Sequence, residues 1–175
     1  MLRRISSWTE EAGYSRINQK QVEKNLHGIG KFLSASDADV YFLQEVDLDS
    51  KRSFHINQQD FYAFGRNFLC DFVPYPLPPI GKVDSGILTL TGLQTSSSSR
   101  ISLPESFSWP VKTCNLKRCM LETRVPLEGT DAELVLLNFH LEAYDSGEGK
   151  IAQSKMLAEK LVEEYAARTF FLCSG

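Results

Sequence analysis

Asp39-Val40-Tyr41-Phe42-Leu43 is short, β-branched and aromatic, and it runs directly into Gln44-Glu45-Val46-Asp47. An apolar run of this composition, set just after the polar turn Ser36-Asp37, reads as a strand buried on both faces. Glu45 then stands at the mouth of the strand, on the rim of a sheet, where ligand sites of α/β proteins gather. Taken alone it has two readings, a solvated strand end or a functional carboxylate.

Upstream, Val22, Leu26, Ile29, Phe32 and Leu33 recur at helical spacing within residues 18–34, with Gln, Lys and Glu on the other face. Downstream, a short strand is expected over 69–73, followed by a loop because Pro74, Pro76, Pro78 and Pro79 forbid regular structure. Four strand-like runs follow, at 87–91, 95–103, 116–125 and 133–141, broken by Gly92, by 104–110 and by 128–131. Their spacing suggests antiparallel hairpins. Ile151, Met156, Leu157, Leu161, Val162 and Tyr165 mark a second amphipathic helix, and 169–173 is a further apolar strand. Helices flanking this many buried strands make an α/β or α+β domain with two packed sheets.

The chain has 175 residues, 42% hydrophobic with 11 Phe, enough for one domain with a substantial core. A net charge of −3 supplies no general attraction to nucleic acid, whose sequence-independent affinity comes from Lys and Arg on phosphates. Cys70, Cys114, Cys119 and Cys173 are spaced too irregularly for a zinc ribbon or a redox pair and read as reduced thiols. Residues 1–14 have no apolar core of a signal peptide, and no stretch approaches the roughly 20 apolar residues of a membrane span. The compartment stays open.

Asn138-Phe139-His140-Leu141 again places polar groups at the end of an apolar run, and alternation puts Asn138 and His140 on one face. An imidazole there can donate to a phosphoryl oxygen or protonate a leaving oxygen; it can equally be a satisfied structural histidine. Asp84-Ser85-Gly86 marks a third site, where glycine permits a bend or a close backbone approach.

Three stretches together, Phe42-Leu43-Gln44-Glu45-Val46-Asp47, Ser85-Gly86-Ile87-Leu88 and Leu136-Leu137-Asn138-Phe139-His140-Leu141, resemble in type and order the endonuclease/exonuclease/phosphatase superfamily. Residues 47–53, 56–58, 72–76, 116–119 and 140–145 bring the chain nearest a bacterial branch, and the resemblance runs from about Val22 onward. It implies part of a four-layered α/β/β/α sandwich with mixed, largely antiparallel sheets. It also implies Mg²⁺ or Mn²⁺ on Glu45, a hard cation content with one or two carboxylates plus substrate oxygens, polarising the phosphoryl group and steadying the departing oxygen. By the same resemblance His140 binds or orients the scissile phosphate and Asn138 helps hold the site. Arg118 either adds charge to the transition state or forms a surface salt bridge. Glu142 takes the place of a small polar residue in that branch and would change the charge near His140.

Measured against that pattern, no strand carrying the usual metal-side asparagine precedes Val22. Residues 170–175 have the character of the strand leading to a Gly-Asp-x-Asn motif, but neither that Asp and Asn nor a later Asp-His pair follows. The expectation is one incomplete domain over 1–175, binding metal weakly, turning over poorly, and prone to self-association through open sheet edges. Expected substrates are phosphodiesters or phosphomonoesters: nucleic acid, phosphoinositide or a phospholipid headgroup; Phe72 and Tyr75 beside the 74–79 loop can meet a lipid surface, though aromatics packed under a loop are the commoner explanation. Two alternatives stand beside the hydrolase: a non-catalytic binding module of the same fold, and a thiol-dependent hydrolase using Cys119 or Cys173 with His140.

Overall fold

The computed structural model describes residues 18–62, 69–74, 84–105, 117–142, 147–167 and 169–175. Residues 1–14, Tyr75, Pro76, Pro78, Pro79, Cys114 and Leu116 lie outside the described residues.

Helix α1 (Gln19–Ala35) begins where the Asn18 side chain accepts from the Gln21 N–H at 2.9 Å, satisfying one of the free donors of a first helical turn. The apolar stripe that predicted it buries Leu26 and Leu33, whereas Ile29 and Phe32 face outward. Strand β1 (Val40–Asp47) follows, and the Tyr41 hydroxyl reaches the Leu33 and Ser36 carbonyls at 3.0 and 3.2 Å, tying the end of α1 to the sheet. After a 3₁₀ turn (Lys51–Ser53) and a one-turn helix α2 (Gln59–Tyr62) come β2 (Leu69–Pro74) and β3 (Ser85–Thr91). These three strands form an antiparallel sheet in the order β1-β3-β2.

The second sheet holds β4 (Ser97–Ser102), β5 (Cys119–Pro126), β6 (Glu133–Phe139) and β7 (Phe170–Ser174) in that order, with helix α3 (Glu148–Ala166) joining β6 to β7. The β4, β5 and β6 pairs are antiparallel; β6 and β7 are parallel, as a helical crossover requires. The chain is therefore an α/β structure with mixed, largely antiparallel sheets.

Strand alternation decides what each face meets. On β3, Leu88 and Leu90 join the core of Leu26, Leu33, Val46 and Tyr62 under α1, while Ile87 packs with Cys119 and Leu121 of the second sheet. On β5, Glu122 and Arg124 point the other way and pair with Lys160 and Glu164 of α3. One expectation is corrected. β1 is half-buried rather than buried on both faces, because among the described residues it pairs only with β3, and β3 is the strand buried along its whole length.

Candidate active site

β1 does not reach its end as a regular strand. Leu43 pairs with Leu88 and Val46 with Gly86, so Gln44 and Glu45 together stand opposite a single residue of β3. This is a β-bulge, a device that re-aims a side chain at a sheet rim. Glu45 takes φ 55°, a left-handed conformation that costs about a kcal/mol for a residue with a Cβ and is characteristic of sites where geometry matters more than local comfort. The carboxylate is thereby thrown outward, half-exposed, while its neighbours Val46 and Asp47 return to the interior.

The segment after β1 is stitched back onto the sheet. The Leu48 N–H donates to the Asp84 carbonyl at 2.8 Å, the Ser50 hydroxyl accepts from the Asp84 N–H at 3.0 Å, and the Gln58 N–H donates to the Asp47 carbonyl at 2.9 Å. This gives Asp84-Ser85-Gly86 a physical role: it anchors the loop that carries Arg52. The Arg52 guanidinium donates to both oxygens of buried Asp47, to the Ser85 hydroxyl at 3.2 Å, and through Nη1 to Glu45 Oε2 at 3.2 Å.

Asn138 and His140 come from the other sheet. Asn138 is fully buried between the sheets, accepting from Gln44 Nε2 at 2.9 Å and donating to the Leu88 carbonyl at 3.0 Å. Its amide thus locks β6 to the bulge that presents Glu45. His140 lies just past the end of β6, with Nε2 3.8 Å from Glu45 Oε1, too long for a hydrogen bond. Burial and the nearby Arg118 charge pull its pKa below the ordinary value, and the opposing carboxylates of Glu45 and Glu142 do not offset them. At neutral pH the ring is an uncharged imidazole, suited to donating one N–H rather than to delivering a proton as a cation.

Arg118 and Glu142 sit behind His140. The expected surface salt bridge is corrected: Arg118 immediately precedes β5 and is buried, as is Glu142, and their charged groups are 3.7 Å apart. Among the described residues Arg118 Nε and Nη1 make no hydrogen bond, so the guanidinium retains donor capacity beside the imidazole. The Glu142 N–H is held by the Gln153 side chain of α3 at 2.8 Å.

A hard cation that keeps several waters and takes one carboxylate would have Glu45 as its protein ligand here. Among the described residues no three His, Cys, Asp or Glu side chains converge, and Glu45 is the carboxylate available. Its oxygens face two donors at 3.2 and 3.8 Å without tight bonding, so it can turn toward a cation. The thiol alternative loses support at Cys119, whose thiol is buried and pushed up by that burial, against the thiolate a nucleophile needs.

No protein-family model and no curated protein sequence matches the chain. Solved structures do. An endonuclease/exonuclease/phosphatase from Beutenbergia cavernae matches with a TM-score of 0.58 at 20% identity, over 77% of this chain and 38% of its own. The human nocturnin catalytic domain with bound sulfate matches at 0.60 and 19%, over 86% and 55%. A conserved protein of unknown function from Enterococcus faecalis matches at 0.65 and 17%, over 87% and 57%. The chain has the endonuclease/exonuclease/phosphatase fold and spans roughly half the length of these structures, between 38% and 57%.

Glu45, Asn138, His140 and Arg118 are thus brought to one region, Asn138 as a buried lock and the others around it. Sequence reading gave no role to Arg52 or Asp47, and it singled out Asp84-Ser85-Gly86 for its glycine without a role for the Ser85 hydroxyl. The available signal was the opposite charges of Asp47 and Arg52 across the Ser50-Lys51 turn, directly after the motif glutamate.

Proposed function

We propose that the chain carries one wall of a divalent-cation-dependent phosphoester hydrolase site. The observation behind it is the meeting of Glu45 and His140 at 3.8 Å from two different sheets, with buried Arg118 behind the imidazole. A cation on Glu45 would polarise the phosphoryl group and stabilise the departing oxygen. The neutral His140 ring donates to a phosphoryl oxygen, Arg118 adds positive potential from a water-poor position, and Asn138 fixes the distance between the two strand ends. The chain by itself is proposed to bind metal weakly and turn over slowly, since this reading gives the cation a single carboxylate, Glu45, and assigns no group to activate water.

The substrate is a phosphodiester or phosphomonoester, from nucleic acid, a phosphoinositide or a phospholipid headgroup. The sulfate held by the nocturnin domain, a tetrahedral anion like phosphate, supports an oxyanion site on this fold. The test is hydrolysis of bis-p-nitrophenyl phosphate with Mg²⁺ or Mn²⁺ by this chain, its Glu45→Gln variant and a chain extended past Gly175. Activity that requires the cation, rises with extension and vanishes with Glu45→Gln is expected. Turnover indifferent to chelator and to that substitution refutes the proposal.

A second reading, a protein-binding module, is favoured by one feature. Phe170, Phe171 and Leu172 of β7 are 62, 39 and 47% exposed, and Tyr165 on α3 is 77% exposed, leaving an apolar strand at a sheet edge. Self-association of the chain through this surface is proposed with it. Sedimentation that shows a monomer at high concentration counts against it. No helix among the described residues is long and apolar enough to cross a membrane.

A further inference from the structure

The Arg52 guanidinium is fixed along one edge and open at the other. Nε donates to Asp47 Oδ2 at 3.0 Å and Nη2 to Asp47 Oδ1 at 2.9 Å, with Ser85 Oγ 3.2 Å from Nη2. Asp47 and Ser85 are buried, so that edge cannot swing. Nη1 bonds Glu45 Oε2 at 3.2 Å among the described residues, and the two side chains are 47 and 49% exposed. Glu45 can leave this contact without disturbing the core, since it projects from a bulge. Arg52 cannot follow it.

A planar guanidinium with one edge anchored and one N–H pair pointed into a site is the geometry that recognises a phosphoryl oxygen. In the free protein the Glu45 carboxylate occupies the place such an anion would take. We infer that Arg52 Nη1 is a phosphoryl-oxygen donor of this site, covered by Glu45 in the free protein and uncovered when that carboxylate turns to a cation. The inference rests on the hydrolase reading for its substrate, and it adds a consequence. Cation and phosphate bind with positive coupling, and by linkage each tightens the other by the same factor. By covering Nη1, Glu45 also keeps the site from holding an anion before the cation has arrived.

The test is calorimetric titration of inorganic phosphate into the full 175-residue chain, first without any metal. Glu45→Ala, which uncovers Nη1, is expected to tighten phosphate roughly tenfold, the scale of one charge-assisted hydrogen bond. Glu45→Ala/Arg52→Lys has the same net charge and still pairs a cation with Asp47, but it lacks the free arm and is expected to return to the wild-type affinity. If lysine fails to hold the fold, as a melt would show, Glu45→Ala/Arg52→Gln/Asp47→Asn removes the buried pair together at the same net charge. No gain in Glu45→Ala, or a gain that persists in the double variant, overturns the inference, the latter by assigning the effect to the lost negative charge alone. Saturating Mg²⁺ is expected to give wild type the same gain and Arg52→Lys none. A Glu45→Ala gain without a Mg²⁺ effect sustains Arg52 as the donor and overturns the metal-dependent reading instead.

Discussion

Arg52 and Arg124 each gather carboxylates, and they do so in opposite circumstances. Arg124 lies between β5 and α3 and uses every edge: Nε bonds Glu122 at 2.9 Å, Nη1 bonds Glu133 at 3.1 Å and Nη2 bonds Glu164 at 2.6 Å. Lys160 closes the cluster, 2.9 Å from Glu122 and 2.8 Å from Glu164, and the Thr169 hydroxyl takes the remaining Glu164 oxygen at 2.7 Å. Arg52 spends its bonds on Asp47 and Ser85 and leaves one arm on an exposed carboxylate that sits on a strained bulge. The difference separates structural charge from chemical charge in this molecule. A cluster whose charges are closed on one another, with Glu122 Oε2 meeting Lys160 as an ion pair without a hydrogen bond, has little left to offer a ligand, whereas one that ends in an exchangeable contact does.

The largest expected effect breaks the open cluster. Glu45→Gln keeps the shape and removes the charge, and in the extended chain it is expected to lower cation-dependent hydrolysis by at least about a hundredfold, the scale of losing one preorganised electrostatic group. Thermal stability should hardly move, because an exposed carboxylate at φ 55° contributes little to the fold. A large drop in melting temperature would erase the distinction between the two clusters.

Arg124→Met reverses the outcome. Removing the guanidinium strands Glu164, which is 3% exposed, among groups that no longer balance it, and the expected cost is about 3 kcal/mol by chemical denaturation. Cation binding at Glu45 should be unchanged. Asn138→Ala belongs to neither cluster, since its amide is the lock between the sheets. Losing its bonds to Gln44 and Leu88 leaves buried partners unmatched and should cost about 2 kcal/mol. Because Gln44 is half of the bulge that presents Glu45, that variant is also expected to weaken cation binding, which Arg124→Met should not.

Much of this was legible in the sequence. Alternation and helical spacing located every strand and both long helices to within a few residues, because each run carries one dominant period. The burial of β1 was misjudged because composition reports how apolar a strand is and not whether it lies in the middle of its sheet. β3, whose Ser85, Thr89 and Thr91 look less apolar, is buried throughout. At the site, Glu45 and His140 were legible as motif ends, but their 3.8 Å approach depends on two sheets meeting, which no local pattern encodes. Arg118 stayed open between transition-state charge and a surface salt bridge because arginine is usually exposed; what it meets inside the protein is Glu142, 24 positions later in the sequence. Arg52 escaped notice because its meaning lies in which of its nitrogens is left over, and that is a property of geometry alone.

The smallest expected effect sharpens the comparison through pH. Burial pushes the Glu164 carboxyl up, but the Lys160 ammonium, the Thr169 hydroxyl and the Arg124 guanidinium more than offset this and hold it below its ordinary value of 4.5. A carboxyl depressed in the folded state contributes stability that is fully present above the unfolded value. That contribution drains away as the pH falls through 4.5 toward the folded value, because the unfolded chain then takes up the proton first. Denaturation midpoints measured from pH 7 down to 3 should therefore fall more steeply in wild type than in Glu164→Gln, which starts less stable and has no proton to gain at this position. Identical acid slopes would mean that the closed cluster is no more perturbed than an ordinary surface network, and the contrast with Arg52 would then rest on geometry without energetic support.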